Sequence, residues 1–382
     1  MKVCMISGTY PPLHCGIGDH AASLAQHLVG LGAEVDVLTC RSNPAPRHTA
    51  NRVRETVNVF PILSQTPALD AVKIAVHVAE QHCDIIHLQF PSWAYRRSLS
   101  ISLLPPLLRP ITRVPLVATL HEVVRSHPIN RLRLVPIAYA ASAVIGTTEE
   151  DCAWLARALP AMKHRVTHVP IGPSIEPTDS PPQDRSYHRR RLGIKPDDIA
   201  ICHFGFLLRN KMVEDLLAAV RNVAESGVPV RLVFMSGFEH TEGSYGAFIR
   251  GRIRELGIEP IVTETGYLPP AEASGCFLAC DLAAMLFRDG ASFRRSSILA
   301  AMTHGLPMVS CRSGAVPAGI VDGENIILSP VGDVAALSAN LLKLCKDPAL
   351  RLMLAQGSLK TARQFSATAI ARRTIDLYHT LL

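Results

Sequence analysis

Several common protein classes are excluded by what this chain has little of. Its ten cysteines are scattered from Cys4 to Cys345 with no CxxC pair, and Cys276 and Cys280 have no matching second pair. That spacing argues against a zinc knuckle and for buried thiols in a reducing compartment. Aromatic residues are only 5% of the total and no nucleic-acid-binding module is recognisable, so no nucleic-acid partner is expected. The first residues, Met1–Ser7, lack both a charged leader and a long apolar run, which speaks against a secretory signal. The uncharged stretch 134–148 is interrupted by Pro136 and is too short to span a bilayer. Nothing repeats at a period of 20 to 50 residues. The expectation is a soluble, cytoplasmic protein.

What is present is enough apolar material for more than one core. The 382 residues are 48% hydrophobic and 19% charged, and at roughly 150 residues per domain this length suggests two domains. Lys plus Arg is 39 against 32 Asp plus Glu, a net +7. Such an excess suits an anionic ligand or an anionic lipid surface equally. Arg96, Arg97, Arg125, Arg131 and Arg133 all fall in the N-terminal half. They fit either peripheral contact at the inner face of a membrane or a solvated basic surface.

Short β-branched runs alternate with amphipathic helical patterns. Strands are expected at Lys2–Ser7, Glu34–Thr39, Asp84–Leu88, Leu116–Leu120, Ala143–Gly146 and Thr167–Val169, with a helix at Ala21–Leu31. From Pro170 to Pro196 the pattern fails: Pro170, Pro173, Pro177, Pro181, Pro182 and Pro196 surround the basic run His188–Arg191. Proline denies a ladder or helix its donor, so residues 171–196 read as a linker. The rhythm resumes with strands at Ile199–Gly205, Val230–Ser236, Ile261–Thr265, Leu282–Leu286 and Met308–Ser310, and a helix at Val213–Glu225. The pattern predicts an α/β chain of two doubly wound parallel-sheet domains, 1–170 and 197–365, with a final helix over 366–382 returning to the first. Ligands of such folds sit at the carboxyl ends of the strands, here in a cleft between two sheets.

Four segments at strand ends could carry chemistry. The first, Thr9–His20, places Gly16, Ile17 and Gly18 where a loop runs into a helix, a geometry that aims backbone N–H groups at a phosphate. The same glycines also suit a plain turn with Asp19 capping the helix. The second, Phe204–Lys211, sets Arg209 and Lys211 where two cations could neutralise a diphosphate, or simply be solvated. The third, Phe287–Ser297, holds Asp289, Ser292, Arg294 and Arg295 ahead of a helical run. Arginine in a first turn opposes the helix dipole, which favours a ligand role over an Asp289–arginine ion pair. In the fourth, His121 and Glu122 end the Leu116–Leu120 strand, and His87 with Gln89 ends another.

Taken in order, these segments resemble the retaining family-4 glycosyltransferases of the GT-B fold over nearly the whole chain. YPPLHCGIGDHAASLAQHL resembles that family's PP-x-x-G-G-I-G loop. DIIHLQF and TLHE resemble its DVVHxH and TxHD segments, and FGFLLRNK its GRL-x-x-x-KG. HGLPMVSCRSGAVPAGIVDGENIILSPVGD and the closing FSATAI resemble its C-terminal signatures. The resemblance implies a nucleoside-diphosphate sugar donor of UDP or GDP type, held mainly by the C-terminal domain. It also implies a carbohydrate or lipid-linked acceptor, held mainly by the N-terminal domain. No cofactor or metal is implied. Lys211 matches the lysine on the donor diphosphate, Gly16 and Gly18 the phosphate-facing loop, and His121 a histidine near the donor sugar, with Glu122 beside it. Gly237 and Leu268 fall at donor-binding positions, the latter near the base.

The chain also departs from that pattern. The family's paired glutamates correspond to Ser292 and Ala300, the arginine after glycine is Phe206, and a further glutamate is Ala318. The activity implied is therefore transfer of a sugar to a hydroxyl through a divergent donor site. The alternative is a non-catalytic protein of the same fold that binds nucleotide or glycan as a partner subunit.

Overall fold

The computed structural model describes every residue except His14, 43–56, 92–93, 95–99, Arg125, 179–183, 239–243 and Ala315. Arg96, Arg97 and Arg125 of the basic set, with Pro181 and Pro182, thus lie outside the described residues. The chain forms two compact units, Met1–Ser174 with Ala367–Leu382, and Ile175–Ser366.

The first unit contains seven strands: β1 (Lys2–Ile6), β2 (Glu34–Cys40), β3 (Asn58–Leu63), β4 (Ile85–Phe90), β5 (Leu116–Leu120), β6 (Ala143–Gly146) and β7 (Val166–His168). They form one sheet in the order β3-β2-β1-β4-β5-β6-β7, every pair parallel. Helices α1 (Gly16–Gly30), α2 (Pro67–Glu80), α3 (Ser100–Leu108), α4 (Pro128–Ala140) and α5 (Glu149–Ala158) connect them. Three of them begin on a recognisable start signal: Pro67 and Pro128 open α2 and α4. Thr148 caps α5 by accepting from the Asp151 N–H at 3.0 Å, with three acids in its first turn.

The second unit contains α6 (Arg185–Arg191), β8 (Ile199–Phe204), α7 (Val213–Glu225), β9 (Val230–Met235), α8 (Tyr245–Glu255), β10 (Val262–Glu264), α9 (Pro270–Ala279), β11 (Leu282–Ala284), α10 (Ser296–Thr303), β12 (Met308–Arg312), β13 (Ile327–Pro330), α11 (Val334–Lys346) and α12 (Pro348–Ala362). Its parallel sheet runs β10-β9-β8-β11-β12-β13. The last helix, α13 (Ala367–His379), belongs to the first unit and packs on α1.

Both sheets are covered by apolar layers on two faces, the α/β/α arrangement that buries continuous hydrophobic strands. In each, the strand order reverses beside the first strand, at β1/β4 and at β8/β11. A crevice opens at the carboxyl ends there, because the flanking connections diverge to opposite faces.

The proline-rich stretch is not wholly irregular. Asp184 accepts from the Tyr187 N–H at 2.7 Å and starts α6, which packs on α9. No proline lies between 183 and 195, so the helix has room, and its arginines reach Asp281 and Glu272. Helix α1 begins at Gly16, five residues before the expected Ala21, so Gly16, Ile17 and Gly18 form its first turn. Arg294 and Arg295 instead precede α10, whose first helical residue is Ser296; the dipole conflict expected of a first-turn position is thereby reduced.

Candidate functional site

In the first unit the candidate residues gather at the carboxyl ends of β1, β4 and β5. Gly18 is required by proximity: a Cβ there would stand 3.0 Å from the Thr9 carbonyl oxygen, so the start of α1 lies close against the β1 loop. Gly16 faces open space. Cys15 makes no side-chain cap, and the helix dipole leaves positive character at this end. Asp19 is not the cap either; burial raises its carboxyl to about 6.

His121 follows β5 directly and is buried. Its backbone N–H donates to the Phe90 carbonyl at 2.7 Å, and Nε2 meets Gln89 Oε1 at 2.9 Å. The Gln89 amide nitrogen faces His87 Nε2 at 3.3 Å, so the amide donates to His87 and accepts from His121. His20, on α1, meets the His121 ring edge-on at 5.2 Å between centroids. Desolvation, helped by neighbouring imidazoles, holds His121 well below the usual histidine range, and burial lowers His20 to about 4. These rings are neutral at pH 7, able to accept or donate a hydrogen bond to a neutral hydroxyl. Glu122 is exposed, with a left-handed backbone (φ 54°), and its carbonyl accepts from Ser126 Oγ at 2.7 Å. Among the described residues nothing holds its carboxylate against His121.

In the second unit the loops after β8 and β11 are tied together: the Arg288 N–H donates to the Asn210 carbonyl at 2.8 Å. Lys211 is 8% exposed, and its Nζ donates to the Phe204 carbonyl at 3.1 Å. Burial, and the Arg295 charge, lower its ammonium to about 7. Gly205 makes room for it, since a Cβ at 205 (φ +93°) would lie 2.8 Å from Nζ. Arg295 donates to Asp289 Oδ2 at 2.6 Å and lies over the Phe287 ring. The ion pair anticipated as one possibility therefore forms, with both side chains half-buried. The Arg294 N–H donates to Ser292 Oγ at 3.3 Å. Arg209 is exposed and stacks over Tyr245, whose hydroxyl donates to Glu214, so it does not join Lys211.

Other polar atoms at these strand ends are not among the site atoms expected from the sequence. Ser236 Oγ, Asn210 Oδ1 and His203 Nε2 are buried and lack a hydrogen-bond partner among the described residues. The register Phe204↔Met235 puts Ser236 beside Gly205 and thus beside the lysine pocket. Each unpartnered buried group costs about 1–3 kcal/mol, a cost that a polar ligand would remove. Gly237 is buried next to Ser236, and Leu268 packs on the apolar layer ahead of α9. Ala300 is fully buried in that layer.

The comparisons with known proteins agree on one class. The family model described as "Glycosyltransferase Family 4" matches residues 15–176, and that described as "Glycosyl transferases group 1" matches 198–347. This chain belongs to the family-4 type of glycosyltransferases. The D-inositol 3-phosphate glycosyltransferase of Corynebacterium glutamicum is 25% identical over 416 residues, covering 99% of this chain and 96% of the relative. The enzyme of the same name from Corynebacterium kroppenstedtii is 31% identical over 206 residues, 52% of this chain and 45% of its own. Anabaena HepE, solved in complex with UDP and glucose, superposes with a TM-score of 0.76 at 19% identity and full coverage of both chains. Sucrose-phosphate synthase from Thermosynechococcus elongatus gives 0.71 at 18%, covering 100% and 98%. The two-domain GT-B fold expected from the sequence is thus shown.

This glycosyltransferase brings Lys211, Asp289, Ser292, Arg294 and Arg295 onto two joined loops, and Gly16, Ile17, Gly18 and His121 onto neighbouring strand ends. Among the described residues no helix is long and apolar enough to cross a membrane. A buried Asp36–His77–Cys83 group comes within 4.8 Å at the amino side of the first sheet. Lys2 Nζ stands 3.4 Å from Asp36 there, and a lysine in that place already neutralises the carboxylate.

Proposed function

We propose that this glycosyltransferase moves a sugar from a nucleoside-diphosphate donor to a hydroxyl acceptor, with retention and without a metal. The observation that carries the reading is the Lys211 pocket: a buried ammonium with one protein acceptor, with unpartnered buried polar atoms at the adjoining strand ends. A diphosphate suits such a pocket. It brings negative charge that restores the ammonium to its protonated form, oxygens that accept from the Ser236 hydroxyl, and bound water that can donate to Asn210 Oδ1. As the glycosyl bond breaks, charge develops on the leaving phosphate, and Lys211 with Arg295 is a fixed cationic seat for it. The departing phosphate oxygen accepts the acceptor's proton on the same face, so no carboxylate nucleophile is needed; this separates the reaction from two-carboxylate glycoside hydrolysis. His121, neutral and held by Gln89, is able to hydrogen-bond a neutral sugar hydroxyl.

UDP fits the bound nucleotide reported for HepE, and a cyclitol phosphate or another carbohydrate hydroxyl fits the acceptor named for the corynebacterial relatives. These supports are by likeness alone. The test is a thermal-shift panel of UDP, GDP and ADP on the wild type and Lys211→Ala, followed by transfer from the donor whose nucleotide binds. Stabilisation by one nucleotide, lost in the variant, and turnover without added metal are expected. Equal binding by both proteins, or transfer only with a divalent ion, would overturn the reading.

A further inference from the structure

The layer between the first sheet and helices α1 and α13 is apolar except for one seam. Val3, Met5, Ile85 and Val117 pack there against Leu24 and Ile370. Strand residues two apart share a face, so His87 and Gln89 on β4, with Thr119 and His121 on β5, project into this same layer. All four are buried, and the partner that closes the seam is Tyr378 of α13, fully buried as well. Its hydroxyl lies 2.6 Å from His87 Nδ1, and Thr119 Oγ1 lies 2.7 Å from His87 Nε2.

With the Gln89 amide oriented as the structure places it, the donors and acceptors have one consistent assignment. Gln89 Oε1 faces His121 Nε2, so its amide nitrogen faces His87. That nitrogen has only hydrogens to offer, so His87 Nε2 must accept, from Thr119 as well as from Gln89. Its proton is then on Nδ1 and is donated to the Tyr378 oxygen. His121 must carry its proton on Nε2, leaving the Nδ1 lone pair as the ring's acceptor. Burial, with a contribution from His20, lowers His87 to about 3, which keeps this imidazole neutral across the working range.

We infer that Tyr378, His87 and Gln89 form a relay by which the C-terminal helix fixes the tautomer and orientation of His121, so that its Nδ1 accepts a hydrogen bond from a substrate hydroxyl. Tyr378 is thus a positioning residue for the reaction. A polar seam through an apolar layer is costly unless every member is satisfied, and here each link is within hydrogen-bond distance. Packing alone does not require polar side chains in this layer, and what the seam does in addition is hold the histidine at its end. The relay rests on the reading of His121 given above.

The test is imidazole ¹⁵N NMR on the full-length, histidine-labelled protein at pH 7.5, with the His121 signals assigned by their loss in His121→Gln. In the wild type, Nε2 of His121 gives the protonated-nitrogen shift and Nδ1 the lone-pair shift. Tyr378→Phe, which keeps the ring and loses only the hydroxyl, moves His121 toward a mixture of tautomers; Gln89→Met, one link nearer, does so more completely. An Nδ1-protonated His121 in the wild type, or unchanged His121 shifts in Tyr378→Phe, overturns the relay. With UDP-glucose as probe, Tyr378→Phe lowers kcat about tenfold with KM within twofold, and has no further effect in a His121→Ala background; additive losses overturn it. The spectra need no substrate, so silence of the wild type toward UDP-glucose weighs against the donor reading and leaves the relay to be decided by the spectra.

Discussion

The two strand-end sites solve the problem of buried polarity in opposite ways. In the first unit, His87, Gln89, Thr119, His121 and Tyr378 satisfy one another almost completely. In the second, Lys211 has one acceptor, and Ser236, Asn210 and His203 each leave a buried atom unpaired. A satisfied network holds a side chain in place; an unsatisfied one holds energy in reserve for a ligand. The contrast is what supports the proposed positioning role of the first and the proposed charge-binding role of the second.

The largest expected effect comes from breaking the unsatisfied site. Lys211→Met should lower kcat/KM by about 10²–10³, on the scale of removing one preorganised charge donor. It should also raise the thermal midpoint of the free protein, because a poorly partnered buried cation is replaced by a chain that packs. A variant that lost both activity and stability would show that Lys211 is instead a structural cation. Gly205→Ala should come next: the positive φ and the 2.8 Å approach to Nζ combine to displace the ammonium. A loss of about 1–2 kcal/mol in denaturant unfolding, with loss of the nucleotide-induced thermal shift, is expected.

The two sites should also respond to pH with the same sign but in different windows. Lys211 is lowered in the folded state, to about 7 from 10.5. Between these values the unfolded chain binds more protons, so Lys211 makes stability rise with pH from about 7 to about 10.5, a slope Lys211→Met should remove. For the same reason nucleotide binding at pH 8 should take up a proton, seen as a buffer-dependent heat in calorimetry. His87 is lowered to about 3. Below about 6.5 the unfolded chain protonates this residue and the fold does not, so stability falls with acid, by about 2 kcal/mol at pH 5 from His87 alone. His87→Gln should flatten that limb in pH-dependent unfolding. The smallest effect should be Asp184→Ala, about 1 kcal/mol from loss of the α6 cap, with nucleotide binding unchanged.

Much of the fold was legible because parallel sheets announce themselves as evenly spaced apolar runs. The strands from β1 to β12 that were expected are present, some shorter by one or two residues. Strands β3 and β13 and helices α2, α5, α8, α9, α11 and α12 were not placed in advance, and among the other missed elements proline obscures the signal: α3 contains Pro105 and Pro106, α4 contains Pro136, and α6 sits among the prolines of the expected linker. Lys211 and the arginines were readable from charge at strand ends. Arg209 was read as part of the diphosphate seat, yet it stacks on Tyr245 because an exposed guanidinium gains from a nearby ring. Ser236 and His203 give no local signal, since what marks them is an absent partner. Tyr378 was invisible for another reason: nothing in the sequence of a helix tells which strand it will meet.

The hydrogen bond between His87 and Tyr378 joins residues 291 positions apart, with all of the second unit between them. During synthesis, therefore, a ribosome must finish the entire second unit before the opening half of the polypeptide receives its closing partner. Maturation of the leading half is bound to the arrival of the tail, so a nascent chain has no means of assembling its histidine machinery early.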